Sequence, residues 1–154
     1  MQFNKLLAAA AFAVAMPIAV SGAATQSDPV HVRQQNFKSM GKAFKVINDQ
    51  MRRPSSDKAV MSASSRQLRD AANRLASENW FPRGSGRKPG VDTDASASIW
   101  SNPKEFRRLQ LELKAAAGGL AVAIGRGNEA DIKRGLKAVG ASCSSCHKQF
   151  RIDD

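Results

Sequence analysis

Hydrophobic residues recur at alternating steps of three and four along four stretches of the chain. The first stretch carries Phe37, Met40, Phe44, Ile47 and Met51, and the second Met61, Ser64, Leu68, Ala71 and Leu75. The third carries Phe106, Leu109, Leu113, Ala116, Leu120 and Ala123, and the fourth Ile132, Leu136, Val139, Cys143, Cys146 and Phe150. Side chains three and four apart share one face of an α-helix, so each stretch predicts a helix with a single apolar seam. No period-two alternation marks a strand. Four such helices can bury their seams only against one another, which predicts an all-α fold, an antiparallel four-helix bundle.

The helix ends carry their own signals. Asp28-Pro29 reads as an N-cap followed by proline at the first helical position, and Arg52-Arg53-Pro54 closes that helix. Ser55-Ser56-Asp57 opens the second, which runs to about Glu78. Asn102-Pro103-Lys104-Glu105 reads as a capping box for the third, and Gly125-Arg126-Gly127 ends it. Asn128 caps the fourth, with Glu129 and Asp131 in its first turn. Two features strain this simple picture. Extending the first seam backwards puts Arg33 inside it, and a buried cation needs a partner. The small run Ala115-Ala116-Ala117-Gly118-Gly119 would let another element, or a flat ring, come close.

Between the second and third helices lies a Pro- and Gly-rich connection of roughly 20 residues, longer than most in a compact domain. It holds Trp80, Phe81, Ile99 and Trp100. So much apolar surface predicts a flap packed across the bundle, either over the edge of a bound group or as a plug of the bundle end.

Ahead of the helices, residues 1–23 have Lys5, an apolar run from Leu6 to Val20, and small residues before the cut, which falls after Ala23 or Ala24. This is a secretory signal peptide; the run is too short to span a bilayer, so no membrane insertion is expected after cleavage. Residues 24–154 then form one domain, exported to the periplasm. Losing the leader removes Lys5 and no acid, so the formal charge falls from +11 to +10. The cations are scattered rather than gathered in one run, and export removes a genomic partner. Nucleic acid is therefore excluded in favour of a solvated basic surface that could steer an acidic partner.

The only cysteines lie in Cys143-Ser144-Ser145-Cys146-His147. A Cys-x-x-Cys-His run is the attachment signature of haem c: two thioethers and an imidazole to the iron. The competing readings are a redox dithiol or disulfide, and a metal site. The first lacks its βαβ context, and the second lacks a fourth ligand at a useful spacing. Both cysteines occupy seam positions and His147 follows Cys143 by one turn, so one covalently attached haem would face the other helices.

The chain resembles the cytochrome c prime family over essentially its whole mature length. The resemblance rests on Arg33-Gln34-x-x-Phe37-Lys38-x-Met40-Gly41, Phe81-Pro82-x-Gly84-Ser85, Ile99-Trp100-x-x-Pro103, and Val139-Gly140-Ala141-x-Cys143-x-x-Cys146-His147-x-x-Phe150-Arg151. It implies thioether links at Cys143 and Cys146 and His147 as the proximal iron ligand. Arg33 would meet a haem propionate, the partner its position demands. Gln34 and Asp94 would contact the haem edge, and Arg151 would lie on the proximal side or serve as a solvated cation at the helix end. The family often has tyrosine where this chain has Phe150, so a hydroxyl contact there is lost.

The same resemblance places Phe37 over the distal face of the iron. An aromatic ring cannot ligate iron, so the haem would be five-coordinate, with an apolar and crowded sixth position. Low-spin relatives instead use a methionine near this point, and Met40 is the alternative here: a sixth ligand in an electron-transfer cytochrome, or core packing. Met51 and Met61 read as core, and His31 as a surface residue. With no tyrosine in the chain and no distal histidine apparent, dioxygen lacks a hydrogen-bond donor, whereas nitric oxide and carbon monoxide need one less. The family is associated with nitric oxide binding, sometimes on the proximal side after histidine displacement. Peroxidase chemistry needs distal acid–base groups that the chain does not offer. The expectation is therefore a non-enzymatic gas-binding and electron-exchanging haem protein, with no redox partner specified and with the homodimer through the first two helices that family members often form left open.

Overall fold

A computed structural model of the protein describes residues 28–152; the expected leader lies outside the described residues. Five helices follow in order: α1 Pro29–Met51, α2 Lys58–Ser77, α3 Ser98–Ser101, α4 Pro103–Arg126 and α5 Glu129–Phe150. The four long ones are those expected from the seams. No strand occurs among the described residues, only isolated bridges between Lys88 and Val91 and between Ala95 and Arg151. The molecule is an all-α four-helix bundle. No helix of the described residues is long and apolar enough to cross a membrane.

Most caps act as the sequence demands. Asp28 accepts from Val30 N at 3.0 Å, Asp57 from Ala59 N at 2.8 Å, and Asn128 from Asp131 N at 3.0 Å. Gly127 adopts a left-handed φ of 72°, which stops α4 without a Cβ penalty. The capping box of α4 does not form. Asn102 makes no side-chain cap bond, and Glu105 turns forward to Arg108, 2.8 Å from Nε, because a guanidinium one turn on outbids a backbone N–H. One helical turn, α3, also stands where the Pro- and Gly-rich connection was expected to carry none.

α1 packs on α2, α2 on α4, and α4 on α5, whereas the α1 and α5 backbones stay apart. The core joins all four long helices around Ile47, Leu68, Leu120 and Val139. In α2 the buried serine is Ser65, not the seam position Ser64, since a 3.6-residue helix drifts off a strict three–four seam. Its hydroxyl donates to Ser62 O at 2.9 Å. In the small run of α4, Ala117 is packed in the core, but the two glycines make no close approach. A Cβ on Gly118 or Gly119 would meet nothing within 4 Å, whereas one on Gly135 of α5 would lie 3.1 Å from Leu120 Cα. The tight α4–α5 contact is therefore made by a glycine of α5. Phe44 of α1 reaches across to Gly140 of α5, where a Cβ would sit 3.7 Å from the ring.

Candidate haem site

The last two turns of α5 bear the attachment motif. Cys143 and Cys146 are half-buried free thiols, one turn apart. They serve two neighbourhoods. Cys143 packs against the main core, and Cys146 against a second cluster of Ala95, Ile99, Leu109 and Phe150. His147 follows on the exposed rim of the same helix. Phe81 of the flap packs against both clusters.

The C-terminal part of the flap is tied to the end of α5. Ser96 N donates to Phe150 O at 3.0 Å, Ser98 Oγ to Gln149 O at 2.7 Å, and Ile152 N to Asp94 O at 2.8 Å. The first two occupy backbone carbonyls of the last turn of α5, and the third holds the residues after the helix to the flap. The Asp94 carboxylate lies 3.3 Å from Arg151 Nε. Two residues assigned separately to the haem surroundings are thus an ion pair with each other. Both are about half exposed, so its direct contribution is small.

On α1, Arg33 is 3% exposed, as its seam position demanded. Its NH1 donates to Ser85 Oγ at 2.7 Å, and its NH2 to Ser85 O and Thr93 Oγ1, both at 2.6 Å. All three acceptors are neutral and belong to the flap. Desolvation lowers the Arg33 pKa, with Asp28 opposing it more weakly. The guanidinium also lies over the Phe81 ring, 5.0 Å from its centroid. Gln34 Nε2 donates to Asp92 O at 2.9 Å, a second tie from α1 to the flap.

Phe37, one turn beyond Arg33, is half-buried and stands edge-on to Trp80 with centroids 5.5 Å apart, and 6.1 Å from Phe81. The ring series continues from Phe81 to Phe106 and on to Phe150, each step 5.0 Å. Met40 is 4% exposed and belongs to the main core with Ala43 and Ile47. Sequence periodicity could not find the roles of Ser85 and Thr93, because loop residues carry no seam.

The donor set fits haem c. Among the described residues no group of three or more His, Cys, Asp and Glu is placed to hold a metal ion. Burial pushes both thiols up, Cys146 to about 11 with Cys143 adding to it. A working redox dithiol or metal ligand needs a thiolate, which this setting disfavours. A buried cation whose three acceptors are all neutral suits a carboxylate-bearing group. Gly41, one turn from both Phe37 and Phe44, looks onto open space.

Comparison with known proteins agrees. The family model for cytochrome c′ matches residues 28–151. The chain is 33% identical over 130 residues to cytochrome c′ of Rhodopseudomonas palustris, covering 84% of this chain and 85% of that one. The crystal structure of cytochrome c′ from Thermochromatium tepidum superposes with a TM-score of 0.74 at 23% identity, over 81% of this chain and 95% of the other. The nitric oxide complex of a point mutant of cytochrome c′ from Alcaligenes xylosoxidans superposes with a TM-score of 0.69 at 24% identity, over 82% and 95%. With a bundle of four helices, an attachment motif on the last of them and a family match from one end of the bundle to the other, this chain belongs to the cytochrome c′ family, whose members carry covalently bound haem c.

Proposed function

We propose that this protein is an exported, periplasmic, five-coordinate haem c protein that binds nitric oxide and carbon monoxide and exchanges electrons, without being an enzyme. When bound, haem c would supply a redox-active iron able to take a diatomic gas. Cys143 and Cys146 tether the ring, and His147 provides the proximal nitrogen. Arg33 neutralises a propionate while keeping the flap drawn to α1 through Ser85 and Thr93. Gln34 supports the same edge.

The observation that carries the reading is the Phe37 ring, wedged between α1 and the flap by Trp80 and Phe81. It offers no lone pair, excludes water and crowds an incoming gas. Nearby polar side chains are committed elsewhere: Ser85 Oγ to Pro82 O at 2.8 Å and the Trp80 indole to Glu78 at 2.9 Å. A gas in this pocket would find few donors, which favours nitric oxide and carbon monoxide over dioxygen. Met40 is engaged in core packing, which supports its role as filler. Ferric paramagnetic resonance and optical spectra test the reading. High-spin ferric haem is expected; a low-spin signal with a methionine-to-iron charge-transfer band would replace it with the six-coordinate electron carrier.

A further inference from the structure

A groove of about 720 Å³ opens beside the C-terminal end of α2 and the N-terminal part of α4, on the far side of the aromatic series from the cysteines. Small-molecule sites are of this size, roughly 300–1,000 Å³. Trp80, Phe81, Trp100 and Phe106 line it. Both indole N–H groups are already satisfied, Trp80 Nε1 by Glu78 at 2.9 Å and Trp100 Nε1 by Phe81 O at 3.1 Å. The indoles therefore present ring surface rather than free N–H groups, and Ser77, Asn79 and Gln110 add polar side chains to the lining. The rim is cationic. Arg83, Arg107 and Lys114 line the groove against one acid, Glu78, and Glu78 is bonded to the Trp80 indole. Arg107 also holds Ala76 O, whereas Arg83 and Lys114 take part in none of the ion pairs found among the described residues.

We propose that this groove binds a small planar aromatic anion, its ring stacked on the aromatic walls and its anionic group met by Arg83 and Lys114. Stacking on the aromatic side chains and the exposed cations of the rim together favour that combination. The position adds a role. Phe81 and Phe106 line the groove on one side and pack in the Cys146 cluster on the other. A bound ring is thus one layer of phenyl groups from the haem attachment, so a redox-active member of the class, such as a flavin nucleotide, is placed to exchange electrons. That part rests on the reading that the haem exchanges electrons; binding itself does not. The step balances as one flavin hydroquinone giving one electron to each of two ferric proteins and two protons to solvent.

Flavin mononucleotide is the probe, titrated with ferric holoprotein and followed by its fluorescence. Saturable quenching at one flavin per chain is expected. Riboflavin, which lacks the phosphate, should bind about fivefold weaker or worse, the loss of one or two partly exposed ion pairs. The double variant Arg83→Glu/Lys114→Glu should weaken the nucleotide about tenfold or more and leave riboflavin within about twofold. The control Lys42→Glu/Lys137→Glu changes net charge equally on the outer faces of α1 and α5 and should cost less than about twofold. Absence of saturable quenching, equal affinity for riboflavin, or equal losses in both double variants would overturn the site. In stopped flow, reduction of the ferric protein by the flavin hydroquinone should saturate with hydroquinone concentration; a rate linear in hydroquinone would overturn the electron role. None of these readouts uses the sixth iron position, so a six-coordinate spectrum would leave them unchanged.

Discussion

Replacing Phe37 by alanine removes the ring proposed to guard the iron. To admit carbon monoxide, the wild-type ring must swing away from Trp80 and Phe81, whose centroids lie 5.5 and 6.1 Å away. Each aromatic pair is worth about 0.5–1.5 kcal/mol beyond burial, so the displacement costs about 1–3 kcal/mol. A barrier lowered by that amount speeds binding by about five- to 150-fold. The same deletion costs stability. A fully buried phenylalanine loses about 3–5 kcal/mol on truncation, and a half-buried one should lose about 2–3 kcal/mol. The assay is flash photolysis of the ferrous carbon monoxide complex, with urea unfolding of the same preparation as a control. A variant that loses stability as stated while its carbon monoxide rate stays within about twofold of wild type would refute the placement of Phe37 over the iron.

Other perturbations read other parts of the argument. Ser142 Oγ is buried with no hydrogen-bond partner, so Ser142→Ala should stabilise the holoprotein by about 1 kcal/mol, raising Tm by about 3–4 °C; a lower Tm would mean that the hydroxyl has a partner when haem is bound. Gly135→Ala should destabilise by about 1 kcal/mol net, because crowding Leu120 at 3.0–3.2 Å outweighs the helix-propensity gain. Gly119→Ala, facing open space, should instead gain up to about 1 kcal/mol, and urea midpoints of the two variants should move in opposite directions. Arg33→Leu should lower the stability of the haem-loaded protein more than that of the apoprotein, since the apoprotein loses only the flap bonds; equal losses in parallel melts would contradict a propionate contact.

The long helices were legible because each seam is a local record of which side is dry. Ile47, Leu68, Leu113, Leu120 and Val139 are all buried where their spacing put them. Arg33 was legible for the same reason: a cation in a seam announces a buried charge and a demand for acceptors. The failures share a cause as well. The capping box at Asn102 and Glu105 is a local motif, and a neighbouring arginine on the same helix outcompeted it. The Gly118-Gly119 run looked like a contact, but the close approach is at Gly135, since helix rotation decides which small residue faces a neighbour. The residues that receive Arg33, Ser85 and Thr93, lie about fifty to sixty positions downstream in an irregular segment, and no periodicity points to them.

By itself the sequence determined the four long helices and the cofactor, and it named the residues proposed to tether it. A seam encodes one buried face, and two thiols with a histidine one turn apart encode covalent attachment through local geometry alone. Only the tertiary structure decided what surrounds that attachment. It folded the flap back onto the end of α5. It also packed Phe81 against both clusters in which the cysteines sit and set the rings from Phe37 to Phe150 in series. Those contacts join residues remote in the chain, and their energies come from packing and desolvation, which depend on neighbours that no single stretch of sequence names.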